Sequence, residues 1–493
     1  MHANLASIMP QVIAVWCEQE GHQVHLSCYT GLEDLSELIP PDVDIVFISA
    51  FSQAAQLSYA LSHQLRLKGA VTALGGPHAR CYPEDSRLYF DYVFGFTDKE
   101  TVRTALNDCA PHRPLGMHLD AKRHPRSLPG VEERWKYIEP ILDKAPALKI
   151  VPMIGSLGCP YACPFCIDST VEYQPLGFDQ IQSDLRFLRT KFKRPRVGWH
   201  DPNFGVRFND YMNTIEEAVP PGSIDFLAES SLSLLSEPHL VRMRKNSFKA
   251  ILPGIESWYS LGNKAGTGSK ISGMEKVRQV SAHVNTVLRY IPYVQTNFVL
   301  GLDTDEGGEP FELTKRFIDL TPGAFPGYSL LTAFGRAAPL NLELQRSGRV
   351  LGFPFHFLNN NHAMNVMPKN YEWRAFYDHV IDLTRYSFSW KAIARRFGAT
   401  ETMIPRWMNV VRAISTEGFG RIRYHTRVRQ LMDLDPGFLP YLSGESDTLP
   451  QFYADRIKND LGPLWERLPA GSLHHDPLAY LNAERTALPV AAG

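Results

Sequence analysis

Three of the seven cysteines fall within eight residues, at Cys159, Cys163 and Cys166. They lie in the segment Gly-Ser-Leu-Gly-Cys-Pro-Tyr-Ala-Cys-Pro-Phe-Cys, where prolines and glycines bend the chain. Three thiolates on so short a loop can point toward one iron–sulfur cluster. A [4Fe–4S] cube held in this way keeps its fourth iron without a protein ligand, free to bind a small molecule. The spacing therefore predicts one such cluster on these three cysteines.

Two other interpretations of the triplet remain open. A structural zinc site needs a fourth ligand, and because no cysteine follows Cys166, His200 would have to supply it from a different strand. The three thiols could also be incidental. The four upstream cysteines are dispersed between residues 17 and 109, so we predict no auxiliary cluster. The odd total also argues against a disulfide framework.

Bulk composition excludes several classes of protein. The 493 residues are 44% hydrophobic and 21% charged, and 51 Lys and Arg against 52 Asp and Glu leave a formal charge of −1. That balance argues against a general nucleic-acid binder. We find neither an apolar run of about 18 residues that could span a membrane nor a basic secretory leader. A cytoplasmic protein is predicted.

Apolar runs alternate with helical patterns over residues 1–110, which predicts a parallel α/β sheet domain. The predicted strands are Gln23–Tyr29, Asp44–Ala50, Ala70–Gly75 and Asp91–Phe96, and the predicted helices are Pro10–Glu20 and Gln53–Lys68. Residues 111–147 contain six prolines and are predicted to be a linker.

A second α/β domain is predicted over residues 148–335. Its six strand-then-helix units indicate a partial (β/α)6 barrel, with the site at the carboxyl ends of the strands. The predicted strands are Lys149–Ile154, Arg196–His200, Ile224–Glu229, Lys249–Ile255, Tyr293–Leu300 and Tyr328–Ala333. Residues 336–493 are aromatic and basic, and a helical C-terminal region is predicted there.

The CxxxCxxC motif, with Phe165 just before the last cysteine, resembles the signature of the radical S-adenosylmethionine superfamily. In that family the open iron binds the amino and carboxylate groups of S-adenosylmethionine, and one electron cleaves the sulfonium to a 5′-deoxyadenosyl radical. The stretches Trp199–Phe204, Gly254–Ser257 and Asn297–Leu302 resemble later elements of one large branch. That branch carries an N-terminal cobalamin-binding-like domain, which Val24–Ala79 also resembles.

The resemblance implies a set of residues around the cofactors. The metal ligands would be the three cysteines, and Asp201, Glu229 and Glu256 would line the mouth, at least one of them within hydrogen-bonding reach of S-adenosylmethionine. Substrate contacts are expected at Tyr328 and Arg336, near the exit of the sixth strand. The remaining cofactor-binding residues implied are Phe165, Ser231, Gly254 and Gly301.

The resemblance implies a radical enzyme that modifies an unactivated carbon, by methyl transfer with cobalamin as the methyl carrier. An alternative is rearrangement, cyclisation or oxidation without methyl transfer, and a more distant one is a noncatalytic iron–sulfur or corrinoid-binding protein. The expected partners are a small-molecule substrate and a reductant such as flavodoxin or ferredoxin.

The first strand of the N-terminal sheet is absent from the sequence pattern. A flavodoxin-like order of 2-1-3-4-5 places that strand inside the sheet, but residues 1–10 leave no room for it before the first helix. We therefore predict either a natural start upstream of Met1 or a sheet with altered pairing. His2 and Leu5 do not fit an Asp-x-His-x-x-Gly element, so bound cobalamin should lack a histidine ligand.

Overall fold

The computed structural model describes residues 7–31, 33–144, 149–161, 163–259, 265–266 and 271–479. Two parallel sheets follow one another along the chain, and a helical region completes it. This α/β architecture is the predicted fold class.

The first sheet has four parallel strands in the order β1-β2-β3-β4. Its strands are β1 (Ile45–Ser49), β2 (Val71–Gly75), β3 (Tyr92–Phe94) and β4 (Met117–Leu119). The helices before and between them are α1 (Ile8–Gln19), α2 (Leu35–Leu38), α3 (Ala55–Leu67), α4 (Pro77–Cys81), α5 (Pro83–Ser86) and α6 (Lys99–Asp108).

Two elements differ from the sequence prediction. The expected strand Gln23–Tyr29 is irregular, and Val24 packs against the apolar side of α1 instead of joining the sheet. The predicted linker 111–147 contributes β4, which pairs with β3, and a 14-residue helix, α7 (Val131–Lys144). The prolines that suggested a linker flank these elements, except Pro140, which lies inside α7.

Whether the pairing in the first sheet is altered, or the natural start lies upstream of Met1, stays a prediction. Strand β1 lies at the edge of the sheet, and among described residues no strand precedes it. His2, Leu5 and the start at Met1 lie outside the described residues.

The second sheet has six parallel strands in the order β12-β11-β10-β9-β8-β5, as predicted for a partial barrel. They are β5 (Val151–Met153), β8 (Arg196–Trp199), β9 (Asp225–Ser231), β10 (Phe248–Glu256), β11 (Tyr293–Leu300) and β12 (Phe325–Leu330). A short antiparallel hairpin, β6 (Ser156–Leu157) with β7 (Gln174–Pro175), follows β5. The helices are α8 (Phe178–Lys191), α9 (Phe208–Ala218), α10 (Glu237–Lys245), α11 (Gly273–Tyr290) and α12 (Glu309–Leu320).

Alternation along β11 and β12 separates the two faces of this sheet. Phe298 and Tyr328 face the helices and are buried, whereas Gln295 and Asn297 are less buried on the opposite, concave face. Phe298 packs against Phe317 of α12, with ring centroids 5.5 Å apart. The concave face is therefore the one that remains available to ligands.

The C-terminal helices cover the open edge of β12. Arg421 donates from Nη1 to the Tyr328 carbonyl at 2.6 Å, and the Leu330 amide donates to the Asn360 carbonyl at 2.7 Å. These contacts satisfy edge groups that would otherwise lack partners. The helices are α13 (Pro339–Arg346), α14 (Trp373–Ser387), α15 (Trp390–Ala399), α16 (Met403–Ile414), α17 (Arg421–Leu434), α18 (Phe438–Leu442) and α19 (Gln451–Leu461).

Candidate functional site

The cysteine loop is enclosed by the β6–β7 hairpin at the carboxyl end of β5, where a parallel barrel places its site. Gly158 enters the loop with φ +68°, and a Cβ there would collide with the Glu172 carbonyl oxygen. The Cys159 amide donates to the Val171 carbonyl at 3.4 Å. The chain therefore returns close to its starting point, which holds the three cysteines on one compact loop.

Backbone hydrogen bonds order the interior of this loop. The Cys166 amide donates to the Cys163 carbonyl at 3.0 Å, and the Asp168 amide donates to Cys166 Sγ at 3.5 Å. Cys159 and Cys163 are buried, while Cys166 and the neighbouring Phe165 are half-buried. An amide directed at a cysteine sulfur favours the thiolate, the form that binds iron.

Asp201 lies beneath the start of the cysteine loop. Its carboxylate accepts from the Gly155 amide at 3.0 Å, from Ser156 Oγ at 2.7 Å, and from the Tyr211 hydroxyl. The side chain is fully buried, and burial raises the pKa of Asp201 although these hydrogen bonds oppose the shift. The carboxylate of Asp201 thus anchors the start of the cysteine loop, and its place at the cofactor mouth stays a prediction.

The first domain holds the other end of the cysteine loop through Arg80 of α4. Its guanidinium lies 3.2 Å from Asp168 Oδ1 and donates to the Ile167 carbonyl at 3.1 Å. The Leu340 amide, from the segment after β12, donates to the Pro164 carbonyl at 2.9 Å. Segments that precede and follow the barrel strands in the chain thus fix the loop in position.

Glu229, Ser231 and Gly254 lie on two neighbouring strands near their carboxyl ends. Gly254 pairs with Ser231 on one side and with Asn297 on the other, and Glu229 pairs with Leu252. Glu229 is exposed on the concave face, whereas Ser231 is fully buried. The register brings the predicted rim residues of β9 and β10 together.

Glu256 ends β10 with φ +67°, an uncommon backbone conformation for a residue other than glycine. Its carboxylate folds back over Gly254, where an added Cβ would collide with Oε1. A side chain at position 254 would therefore displace this carboxylate. A strained residue at a strand exit is typical of a functional site.

Gly301 follows β11 with φ +86°, and an added Cβ would approach the Phe376 ring to 3.0 Å. Its amide donates to Asp305 Oδ2 at 3.2 Å. Burial raises the pKa of Asp305 to about 7. Gly301 therefore makes a tight turn at the strand exit, as its position in the sequence suggested.

Both residues that were predicted to contact substrate make side-chain contacts with other residues of the protein. Tyr328 faces the helices, and its hydroxyl lies 2.6 Å from Ser387 Oγ. A substrate contact by Tyr328 stays a prediction. Sequence spacing placed it at the strand exit, but the strand spans Phe325–Leu330 and Tyr328 is on its buried face. Arg336 forms an ion pair with Glu84 at 2.9 Å, and a substrate role for it stays a prediction.

Sequence reasoning missed two amides near the site. Asn203, after β8, is 4% exposed, and neither its amide oxygen nor its amide nitrogen has a hydrogen-bond partner among the described residues. Asn297 lies in the centre of the concave face and accepts from Gln295 Nε2 at 2.7 Å. The period-two pattern of β11 could have identified Asn297. An unsatisfied buried amide such as Asn203 is unusual and is consistent with a ligand.

Within the described ranges, no three His, Cys, Asp or Glu side chains are gathered closely enough to hold a single metal ion. A tetrahedral zinc site requires such a gathering. In a [4Fe–4S] cube each thiolate binds a different iron. Which group the three cysteines hold stays a prediction.

Comparisons with solved structures identify the architecture. The radical S-adenosylmethionine methyltransferase TsrM from Kitasatospora setae, bound to tryptophan substrate and an S-adenosylmethionine analogue, superposes with a TM-score of 0.53 at 13% identity, over 71% of this chain and 75% of TsrM. TsrM with cobalamin and a [4Fe–4S] cluster bound gives 0.51 at 13% identity, over 70% and 73% of the two chains. This chain has the radical S-adenosylmethionine fold.

Two curated proteins from Chlorobaculum tepidum are also similar to this chain. Bacteriochlorophyllide d C-12(1)-methyltransferase is 22% identical over 375 residues, which cover 74% of this chain and 79% of the relative. Bacteriochlorophyllide d C-8(2)-methyltransferase is 21% identical over 368 residues, 72% and 80% of the two chains. No family model matches the sequence. The similarity extends well beyond the cysteine motif.

Proposed function

We propose that this chain is a radical S-adenosylmethionine enzyme that methylates an unactivated carbon with the help of cobalamin. The observation that carries the proposal is the cysteine loop, fixed at the carboxyl end of the first barrel strand and facing the concave side of a six-stranded parallel sheet. The methyltransferase names of the relatives support the reaction type. TsrM supports the pairing of a cobalamin-binding-type sheet with this barrel.

Cys159, Cys163 and Cys166 would hold the cluster. When bound, the cluster, S-adenosylmethionine and cobalamin together supply reductive cleavage of a sulfonium and a transferable methyl group. The loop itself orients the three sulfurs, and the Asp168 amide directs a proton at Cys166 Sγ. Hydrogen bonds of this kind adjust the reduction potential of a cluster.

The concave face offers polar groups suited to a cationic cofactor. Glu229 lies near the carboxyl end of β9, and Glu256 ends the neighbouring β10. Charge-assisted hydrogen bonds from an ammonium or from ribose hydroxyls to these carboxylates would be stronger than neutral ones. The unsatisfied amide of Asn203 adds a donor and an acceptor. We propose these three side chains as S-adenosylmethionine contacts, with Ser231, Gly254 and Gly301 shaping the mouth.

Cobalamin would lie at the carboxyl edge of the first sheet, where doubly wound sheets bind ligands. His78 at that edge is fully buried, with Nε2 2.6 Å from the Tyr59 hydroxyl and Nδ1 3.3 Å from Ser52 Oγ. Burial lowers the pKa of His78 to about 3. Since both ring nitrogens have protein partners, this histidine does not offer a ligand to cobalt, which supports the absence of histidine ligation.

The substrate we propose is a small molecule. No helix among the described residues is long and apolar enough to cross a membrane. A cytoplasmic location and a flavodoxin- or ferredoxin-type reductant complete the proposal, since the cluster requires a low-potential electron source.

Product analysis tests the reaction. The reconstituted protein is incubated anaerobically with S-adenosylmethionine and a chemical reductant. We expect both 5′-deoxyadenosine and S-adenosylhomocysteine. 5′-Deoxyadenosine alone would favour rearrangement, cyclisation or oxidation, and neither product would indicate a noncatalytic protein.

A matched pair of cysteine variants provides the control. The triple change of Cys159, Cys163 and Cys166 to Ala should abolish both products. Cys28→Ala, which removes a half-buried thiol in the first domain, should leave them unchanged. Continued cleavage of S-adenosylmethionine by the triple variant would overturn the assignment of the cluster ligands.

A further inference from the structure

Helix α16 directs its apolar side to solvent. Met403, Ile404, Trp407, Val411 and Ile414 are 57%, 62%, 56%, 47% and 44% exposed. At 3.6 residues per turn these five side chains occupy about 100° of the helix circumference. They form a continuous apolar stripe along the whole helix.

The side of α16 that faces the protein is the less apolar one. Asn409 and Ala413 are buried there, and Asn409 Nδ2 donates to Thr400 Oγ1 at 3.2 Å. A surface helix normally buries its apolar stripe and exposes its polar side. The reversed orientation of α16 indicates that the stripe has a binding role outside this fold.

Aromatic rings adjoin the stripe at its C-terminal end and at its middle. Trp390 of α15 is 68% exposed, and its ring packs edge-on against Phe419, just after α16. Trp407 packs edge-on against Phe397 at 5.6 Å. We name the exposed set the tryptophan patch, and its members are Trp390, Met403, Ile404, Trp407, Val411 and Ile414.

The surroundings of the tryptophan patch are basic. Residues 390–420 contain five Lys and Arg against two Glu, although the whole chain has a formal charge of −1. One of the five, Arg396, is buried and donates to the Ala324 and Ser387 carbonyls, so it adds no charge to the surface. Arg412 pairs with Glu417, and Arg395 with Asp319. Lys391 is exposed, and Arg406 stacks 5.3 Å over the Phe397 ring and donates to the Thr400 carbonyl. Excess positive charge therefore accompanies the apolar stripe.

We propose that the tryptophan patch docks onto the surface of a lipid bilayer that contains anionic headgroups. Tryptophan rings and aliphatic side chains on one side of a helix, with cations beside them, suit the boundary between headgroups and acyl chains. Such a helix lies in the membrane plane and does not span it.

Vesicle co-sedimentation of the full-length protein tests the proposal. One set of vesicles contains phosphatidylcholine alone, and the other also contains phosphatidylglycerol. We expect binding to the anionic vesicles that weakens with added salt, and at least about tenfold weaker binding of the double variant Ile404→Glu, Trp407→Glu, since it places two charges in the boundary region. Trp390→Glu, on the adjacent helix, should weaken binding independently.

Leu434→Glu is the matched control, because Leu434 is 69% exposed outside the patch. This variant should bind anionic vesicles as the unmodified protein does. The proposal would be overturned if the unmodified protein bound neither kind of vesicle. It would also be overturned if the double variant bound anionic vesicles as well as the control does. A dimer in light scattering that the double variant dissociates would overturn it in favour of a second copy. Folding of each variant is checked by circular dichroism.

Discussion

Replacing Asp201 by Ala tests how the cysteine loop is held. The change leaves the Gly155 amide and the Ser156 and Tyr211 hydroxyls without their shared acceptor in a buried place. An unsatisfied buried donor costs about 1–3 kcal/mol. Water can enter the vacated space, and burial already disfavours the charged carboxylate. We therefore take the lower limit of this cost for each donor, which gives a loss of stability of about 3 kcal/mol for the three donors.

Hydrogen exchange at the Gly155 and Ser156 amides measures this effect directly. A loss of about 3 kcal/mol in local stability corresponds to roughly 100-fold faster exchange. Asp201→Asn retains one acceptor oxygen and should accelerate exchange only about tenfold. The control is Asp210→Asn, because Asp210 is exposed and pairs with Arg207 on the surface. Unchanged protection in Asp201→Ala would refute the anchoring role.

Three further predictions concern the same site and its surroundings. Arg80→Ala removes the contacts to Asp168 and the Ile167 carbonyl, so a chelator should extract iron from the protein several-fold faster. Arg80→Lys should partly restore iron retention. Equal rates of iron extraction from the variants and the unmodified protein would contradict this role. Gly254→Ala displaces the Glu256 carboxylate and should weaken S-adenosylmethionine binding about tenfold in calorimetry, whereas Gly177→Ala, with open space at its Cβ, should not. The folded pKa of Asp305 is about 7, above its unfolded value near 4. The free energy of unfolding should therefore fall as pH rises through this window, and Asp305→Asn should gain stability relative to the unmodified protein between pH 5 and 7.5 in urea titrations. A pH-independent difference would contradict that assignment.

The sequence predicted the barrel well because its signals are local. Strand-length apolar runs alternate with helical patterns from β5 to β12, and the strands occur in sequential order in the sheet. The glycines at 158 and 254 also stand where the backbone or a neighbouring carboxylate leaves no space for a Cβ. Local spacing is sufficient for features of this kind.

The sequence-based predictions differ from the structure where contacts between residues distant in the chain determine the position of an element or side chain. Gln23–Tyr29 has a strand pattern, but Val24 packs beside α1, and β4 from the presumed linker pairs with β3 in the sheet. Tyr328 was placed by its distance along the chain, whereas the alternation of β12 turns it toward Ser387. Asp201 was expected at the rim, and its partners in the cysteine loop were not predicted. Sequence spacing does not reveal such partners.

Iron and sulfide analysis of the anaerobically reconstituted protein, together with electron paramagnetic resonance, tests the central claim most directly. One [4Fe–4S] cluster on Cys159, Cys163 and Cys166 predicts about four irons and about four sulfides per chain, and a signal of the reduced cluster that changes when S-adenosylmethionine binds the open iron. Zinc in place of iron, about eight irons per chain, or a signal that S-adenosylmethionine leaves unchanged would contradict the account.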